Sequence, residues 1–357
     1  MKKIKVINIL GPIVIGGCEN MVYELGKALD PQKVDNMVIS IGSRTANPLE
    51  KKIDEAGINI VYSDCKGTVT LSKLLKVYWI MKTFQPDVLH AHMSGVVYSL
   101  PWLMTHRCKM VVTAHTTPNL AFNSRVTKIL KILARLGKVV MVGVSEENAN
   151  LMRSYYQLSD DYVKWVNNGI DISRYYKKDH SNITFVHIGR LDENKNQQLI
   201  ISCFAKVFEQ HPDARLILCG DGPTREKLED QVRTLGLQEV VTFTGNVSNV
   251  QDYLAISDIY LQSSHREGLP LSVVEGMATA LPVISTNVGG MKNVVKDNGF
   301  LIEDNDVQSY LNAMIRLYED GNLRKLMGLR SCEMTKPFSS AAMADQYASI
   351  YESIIDN

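Results

Sequence analysis

The chain has no apolar run that could cross a bilayer. In its 357 residues nothing approaches the roughly 18 consecutive apolar positions that a transmembrane helix needs, so no spanning segment is predicted. It has no C-x-x-C pair: Cys18, Cys65, Cys108, Cys203, Cys219 and Cys332 are scattered, with Cys203 and Cys219 inside apolar runs. That spacing argues against disulfides and a zinc ribbon and predicts reduced thiols in a cytoplasmic protein. Net charge is nearly absent, at +1, which excludes a molecule held to nucleic acid by bulk electrostatics. Repeats and low-complexity tracts are missing too. The opening Met1-Lys2-Lys3-Ile4-Lys5 leads into an apolar run, but Gly11-Pro12 interrupts it and no A-x-A site follows. A first buried strand is expected there, not a signal peptide.

Hydrophobic residues make up 45% of the chain and charged residues 22%, the profile of a globular protein. The length suits two domains of roughly 100–200 residues. Charge divides unevenly: residues 1–170 hold 21 Lys+Arg against 13 Asp+Glu, and the remainder 18 against 25. The asymmetry reads either as composition drift or as a first half that meets something anionic.

Short β-rich runs alternate with helical patterns, which predicts α/β domains with parallel sheets. Strands are expected at 4–10, 36–41, 59–62, 88–91, 110–114 and 139–144, with helices at 19–29 and 72–84. The series then restarts, with strands at 184–188, 215–219, 240–244, 259–262 and 282–285 and helices at 197–210, 224–235 and 271–280. Two such series imply two Rossmann-like domains, 1–172 and 173–340, with the border in a polar stretch. In the last segment Met343, Tyr347, Ile350, Tyr351 and Ile354 repeat at helical spacing.

Three stretches carry candidate chemistry. Gly16-Gly17-Cys18-Glu19 joins the first strand to the first helix. Paired glycines let backbone amides approach an anion at an electropositive helix start. An unliganded tight turn explains the same residues. In the second series, Gly189-Arg190-Leu191 and Lys195 follow the first strand, at the carboxyl end where α/β sheets bind ligands. Two cations there can neutralise a departing diphosphate, unless they are solvated surface charges. The third stretch, Glu267-Gly268-Leu269-Pro270-Leu271 through Glu275, follows a strand and opens a helix. Its carboxylates can accept hydrogen bonds from sugar and ribose hydroxyls, and the amides of Gly268, Leu269 and Leu271 lie at the helix entrance. Paired carboxylates also serve glycoside hydrolysis, which would leave Arg190 and Lys195 unexplained.

On these residues the sequence resembles the retaining glycosyltransferases of family 4 over nearly its whole length. The most specific element is Glu267 and Glu275 with seven residues between, then Gly189-Arg190-Leu191 with Lys195. Gly16-Gly17-Cys18-Glu19, Val144-Ser145-Glu146, Asn167-Asn168-Gly169-Ile170-Asp171, Gly220-Asp221-Gly222-Pro223 and Gly299-Phe300-Leu301-Ile302 support it. The resemblance implies the glycosyltransferase-B fold, two Rossmann-like domains facing across a cleft, with a final helix at 341–357 returning to the first domain. It implies that Arg190 and Lys195 hold the donor diphosphate, that Glu275 binds the ribose and that Glu267 lies near the donor sugar. Gly245-Asn246-Val247 would touch the base, and Gly16 and Gly17 the phosphate. His115 would contact donor sugar or acceptor; without the resemblance, a histidine after a strand is commonly structural, and His90 and His92 read as fold residues. The family often carries other residues where Thr116-Thr117 stand, so acceptor chemistry does not transfer from there.

The expected activity is retaining, metal-independent transfer of a hexose or N-acetylhexosamine from a nucleotide diphosphate sugar, with uridine as first choice of base. The acceptor would be a glycan or a lipid-linked sugar in cell-surface polysaccharide synthesis. No cofactor is implied, and no D-x-D motif falls among the site residues. The rivals are a nucleotide-sugar epimerase or phosphorylase of the same fold and a catalytically silent binding subunit. Between Arg125 and Lys138 five cations occur without an acid, and Lys128, Lys131, Arg135 and Lys138 share one side of a helix. Val126, Ile129, Leu130, Leu133 and Leu136 repeat on another face. That segment reads either as a core-packed helix with a solvated basic face or as a peripheral dock on anionic lipid at the inner membrane face.

Overall fold

The computed structural model describes residues 3–14, 16–65 and 67–356; Met1, Lys2, Ile15, Lys66 and Asn357 lie outside the description. The chain forms two α/β units, Met1–Asp171 together with Pro337–Asn357, and Ile172–Lys336.

Unit 1 holds β1 (Ile4–Leu10), β2 (Val34–Ser40), β3 (Asn59–Tyr62), β4 (Val88–His92), β5 (Lys109–Ala114), β6 (Val139–Gly143) and β7 (Val163–Trp165). They form one parallel sheet in the order β3-β2-β1-β4-β5-β6-β7. Helices cover both faces, which is why the strands read as apolar runs instead of alternating. Ile7 and Ile9 of β1 join a core with Val77, Met81, Trp102, Leu130 and Met152. Val6 and Leu10 point into another, with Met21, Leu25, Met343, Tyr347 and Tyr351. The second core is built partly by the last helix, Ser340–Asp356. Beneath it His90 bonds Tyr351 Oη through Nδ1 and Thr113 Oγ1 through Nε2, both at 2.7 Å, and Thr113 meets Tyr347 Oη at 2.9 Å. Burial, and then the neighbouring His115, hold His90 well below the usual imidazole range, so it is a neutral bridge. The returning chain pairs Ile170 with Ser339. A side chain on Gly169 would sit 2.5 Å from the Ser339 carbonyl oxygen, so glycine there allows the approach.

Unit 2 holds β8 (Thr184–Ile188), β9 (Arg215–Cys219), β10 (Val241–Gly245), β11 (Ile259–Gln262), β12 (Val283–Thr286) and β13 (Gly299–Ile302). These are parallel in the order β10-β9-β8-β11-β12-β13. Phe185, Leu216, Ile259 and Ile284 pack against Phe204, Leu228, Tyr310 and Met314. In each unit the strand order reverses beside the first strand, between β1 and β4 and between β8 and β11. Loops diverge at the carboxyl ends there and leave a crevice. Every candidate stretch except Gly245-Asn246-Val247 opens beside one of these reversals or at the next strand. No helix among the described residues is long and apolar enough to cross a membrane.

Candidate functional site

The loops after β8 and β11 interlock in unit 2. Ser263 Oγ donates to the carbonyls of Lys195 and Asn196 at 2.7 and 3.0 Å. The His265 amide donates to Asn194 O at 2.8 Å, and Asn194 Nδ2 to Arg266 O at 2.9 Å. Asn196, at φ 50°, turns the chain into helix Gln197–Gln210. These bonds hold the Lys195 ammonium on Glu267 Oε1 as an ion pair. The same oxygen accepts from Gln262 Nε2 at 2.9 Å and Ser264 Oγ at 2.6 Å. The two sequence candidates therefore form one charge-compensated unit, with side chains 18% and 10% exposed.

Arg190 is different: its side chain is 71% exposed, and its nearest carboxylate, Asp192, is 3.8 Å away. Only its backbone is anchored, with the Arg190 carbonyl accepting from Gln197 Nε2 at 2.9 Å. Below it His187 donates through Nδ1 to Leu261 O at 2.9 Å and faces Gln197 with Nε2. Burial pushes His187 down to about 4, and the Lys195 charge adds to this against the Leu261 hydrogen bond.

The loop after β9 braces the site from behind. The Gly189 amide donates to Cys219 O and the Leu191 amide to Asp221 O. Gly220 has φ +139° and a side chain there would lie 1.9 Å from Gly189 O, which explains the glycine. Glu275, one turn into helix Leu271–Ala278, accepts from Tyr175 Oη at 2.9 Å. Pro270 supplies no side-chain cap to that helix, and Gly268, shortly before it, is exposed. Gly245-Asn246-Val247 stands at the sheet edge, separated from β11 by β9 and β8. The Gly245 carbonyl is taken by the Gly220 amide at 3.0 Å, and Asn246 is exposed.

In unit 1 the loop after β1 and the end of β5 come together. Gly16 caps helix Gly17–Ala28 without a side-chain bond, and Gly17 is exposed. Ring nitrogens of His92 and His115 and the sulfur of Cys18 lie within 4.8 Å of one another. Burial pushes His115 down to about 4, so it is neutral near pH 7. His92, read from sequence as a fold residue, is fully buried and meets His115 Nε2 with its Nδ1 at 3.0 Å. Beside them a cavity of about 680 Å³ opens at the strand ends, lined by Pro12, Cys65, Met93, Val97, Phe122 and Val126 among others.

Helix Ser124–Arg135 departs from the expected split of faces. Val126, Leu130 and Leu133 are buried, but Ile129, Ile132 and Leu136 are exposed alongside the bases, Ile132 at 59% and Leu136 at 67%. Val126, Leu130 and Leu133 form one stripe that joins the core beside β6, and the rest of the apolar repeat faces outward.

Sequence reasoning missed Tyr175, Gln262, Ser264 and Asn8. Only Gln262 and Ser264 left a trace, as polar residues ending an apolar strand.

Two family models match the chain: Glycosyltransferase Family 4 over residues 15–174 and Glycosyl transferases group 1 over residues 169–331. The chain is 30% identical over 290 residues to N-acetyl-alpha-D-glucosaminyl L-malate synthase of Bacillus anthracis, covering 75% of each chain. It is 22% identical over 384 residues to UDP-Gal:alpha-D-GlcNAc-diphosphoundecaprenol alpha-1,3-galactosyltransferase of Escherichia coli, covering 99% of this chain and 98% of that one. Among solved structures, Anabaena HepE in complex with UDP and glucose superposes with a TM-score of 0.80 at 19% identity, over 98% of this chain and all of that one.

Proposed function

The chain belongs to glycosyltransferase family 4, the glycosyl transferases of group 1, with the glycosyltransferase-B fold, and on that footing we propose that it transfers a hexose or N-acetylhexosamine with retention of configuration. The donor is a nucleotide diphosphate sugar, a uridine diphosphate sugar first, and the acceptor a lipid-linked sugar or glycan. The observation that carries this reading is the interlocked pair of loops after β8 and β11. They place an exposed guanidinium, a paired ammonium and an uncapped helix start at one sheet reversal.

In this reading Arg190 and Lys195 take up the charge of the departing diphosphate, assisted by the amides of Gly268, Leu269 and Leu271. Glu275 accepts from the ribose hydroxyls, competing with Tyr175. Glu267 orients Lys195 and the donor sugar. The acceptor oxygen attacks the anomeric carbon from the side the nucleotide leaves. The carbon–oxygen bond to phosphate breaks, and the leaving phosphate takes the acceptor proton, so neither an enzymatic nucleophile nor a metal is invoked. Within unit 1, the amides of Gly16 and Gly17 suit an anion and neutral His115 offers a hydrogen bond to a sugar hydroxyl. The names of the relatives support a nucleotide sugar donor: one is a UDP-Gal transferase, and HepE was solved with UDP.

A thermal-shift series tests the donor. Uridine diphosphate and its sugars raise the melting temperature by several degrees at saturation, because a ligand of the native state at about 100 Kd adds about 2.7 kcal/mol. If no nucleoside diphosphate moves the transition, the donor assignment fails. Free nucleotide with an altered sugar and no acceptor product restores the epimerase reading.

The lipid-linked acceptor is favoured by the apolar cavity of unit 1, whose wall includes Asn123 and Val126 at the start of helix Ser124–Arg135. The cations and exposed Ile129, Ile132 and Leu136 on that helix suit an anionic bilayer surface. Replacing Lys128, Lys131 and Arg135 together by alanine lowers partition onto anionic vesicles by about 10²-fold, at about 1 kcal/mol per basic residue near the surface. Sedimentation at low salt reads this directly. Equal binding by parent and variant, or none by the parent, removes the membrane from the proposal.

A further inference from the structure

The transfer reading assigns a task to His115 but none to Cys18 or His92. Cys18 is the second residue of helix Gly17–Ala28, His92 ends β4 and His115 follows β5. Thus three neighbouring strand ends each supply one soft or borderline donor atom. We propose that Cys18, His92 and His115 form a binding site for a thiophilic divalent cation such as zinc, and that filling it withdraws His115 from the sugar. The binding half stands alone; the inhibitory half rests on the role of His115 proposed above.

The geometry is close to that of a bound site. His92 Nδ1 and His115 Nε2 are 3.0 Å apart. Two nitrogens on tetrahedral zinc, each at about 2.0–2.1 Å, lie about 3.4 Å from one another, a few tenths of an ångström more than here, and the Cys18 sulfur lies within 4.8 Å of both. His92 is already oriented from outside. Its Nε2 meets Asn8 Oδ1 at 3.1 Å, and the Asn8 amide nitrogen donates to Asn36 Oδ1 at 2.7 Å. With the nitrogen of Asn8 committed to Asn36, its oxygen accepts the Nε2 proton of His92. The lone pair of Nδ1 is thereby aimed at His115, the arrangement of an outer partner behind a metal-bound imidazole.

Proton balance is simple. Neutral imidazole is the ligating form of both histidines. With Nδ1 of His92 accepting, His115 Nε2 donates the hydrogen bond between them, so the His115 proton moves to Nδ1 when Nε2 binds the ion. Thiolate is the ligating form of cysteine, so the cation displaces the Cys18 proton, releasing one to solvent. The start of the helix favours the thiolate so formed. One sulfur–metal and two nitrogen–metal bonds form, and a fourth position stays open to water. Cys18 and His115 are half-buried and Gly17 is exposed, which gives the ion a route in.

The test is a Co²⁺ titration of the reduced full chain in a Cys332→Ser background, because Cys332 is an exposed thiol. The expected result is one equivalent bound, with a sulfur-to-cobalt charge-transfer band and strong visible bands of tetrahedral coordination, all displaced by zinc. Cys18→Ser removes the charge-transfer band. His115→Asn lowers affinity by more than the roughly 10–100-fold typical of losing an outer partner. No band in the parent, or a band that survives Cys18→Ser in protein with the parental melting curve, overturns the site. This readout uses neither donor nor acceptor, so its failure leaves the transfer reading standing. Undiminished transfer at saturating zinc overturns the inhibitory half.

Discussion

Lys195→Ala and Arg190→Ala each lower the rate of transfer by about 10²-fold or more at saturating donor, the scale of losing one preorganised donor to developing charge. The two variants reach that loss by different routes, and the structure separates them. Arg190 is mostly exposed and its carboxylate neighbour is 3.8 Å away. A surface pair of that kind is worth at most about 1 kcal/mol, so Arg190→Ala keeps its melting temperature and loses rate alone. Lys195 is one partner of a half-buried pair with Glu267. Its removal leaves a carboxylate that, among the described residues, Gln262 and Ser264 satisfy, and stranding a buried charge costs up to about 3–5 kcal/mol. Lys195→Ala therefore loses both rate and stability. Initial rates and melting curves on the two proteins check this together. Near-normal transfer by both variants removes the diphosphate site from the loops after β8 and β11. A melting temperature unchanged in Lys195→Ala would show instead that the ion pair contributes nothing to the fold.

Removal of the last helix, by ending the chain before Ser340, unfolds unit 1. Met343, Tyr347 and Tyr351 are wholly buried and Ile354 nearly so, all within the second core of unit 1. Burying such side chains stabilises by about 1.5–3 kcal/mol each, and four of them approach the 5–15 kcal/mol that holds a typical domain together. The deletion also strips Tyr347 and Tyr351 from Thr113 and His90, leaving polar groups of β4 and β5 beneath an uncovered face. Differential scanning calorimetry should lose the transition of unit 1 while that of unit 2 persists. Two intact transitions in the truncated chain would mean that the helix is dispensable. The effect is long-range in sequence, since Tyr351 and His90 are partners across almost the whole chain.

Much of the architecture was legible because parallel strands covered on both faces are continuous apolar runs. The strands at 4–10, 59–62, 184–188, 215–219 and 259–262 appear where periodicity predicts them. β7 escaped because three residues carry no period, and β13 because Gly299-Phe300-Leu301-Ile302 reads as a motif before it reads as a strand. Several motif glycines are structural: Gly220 stands against Gly189 O and Gly299 against Val283 O, each at 1.9 Å from an added side chain. Ser145, within Val144-Ser145-Glu146, caps helix Glu146–Tyr156 by accepting from the Asn148 amide.

The order of apolar runs, the glycine turns and the charged residues after them sufficed to determine two parallel-sheet units and to place Arg190, Lys195 and Glu267 in loops after strand ends and Glu275 in the helix that follows. Those properties are local, or periodic over a few residues, and so are written in the chain. Pairings were decided only on folding. Lys195 meets Glu267, Tyr175 meets Glu275, and Cys18 and His92 meet His115, because strands distant in sequence lie side by side. Whether a cation is free or compensated, and whether a histidine is a spacer or a ligand, depends on those neighbours. Only the tertiary structure supplies them.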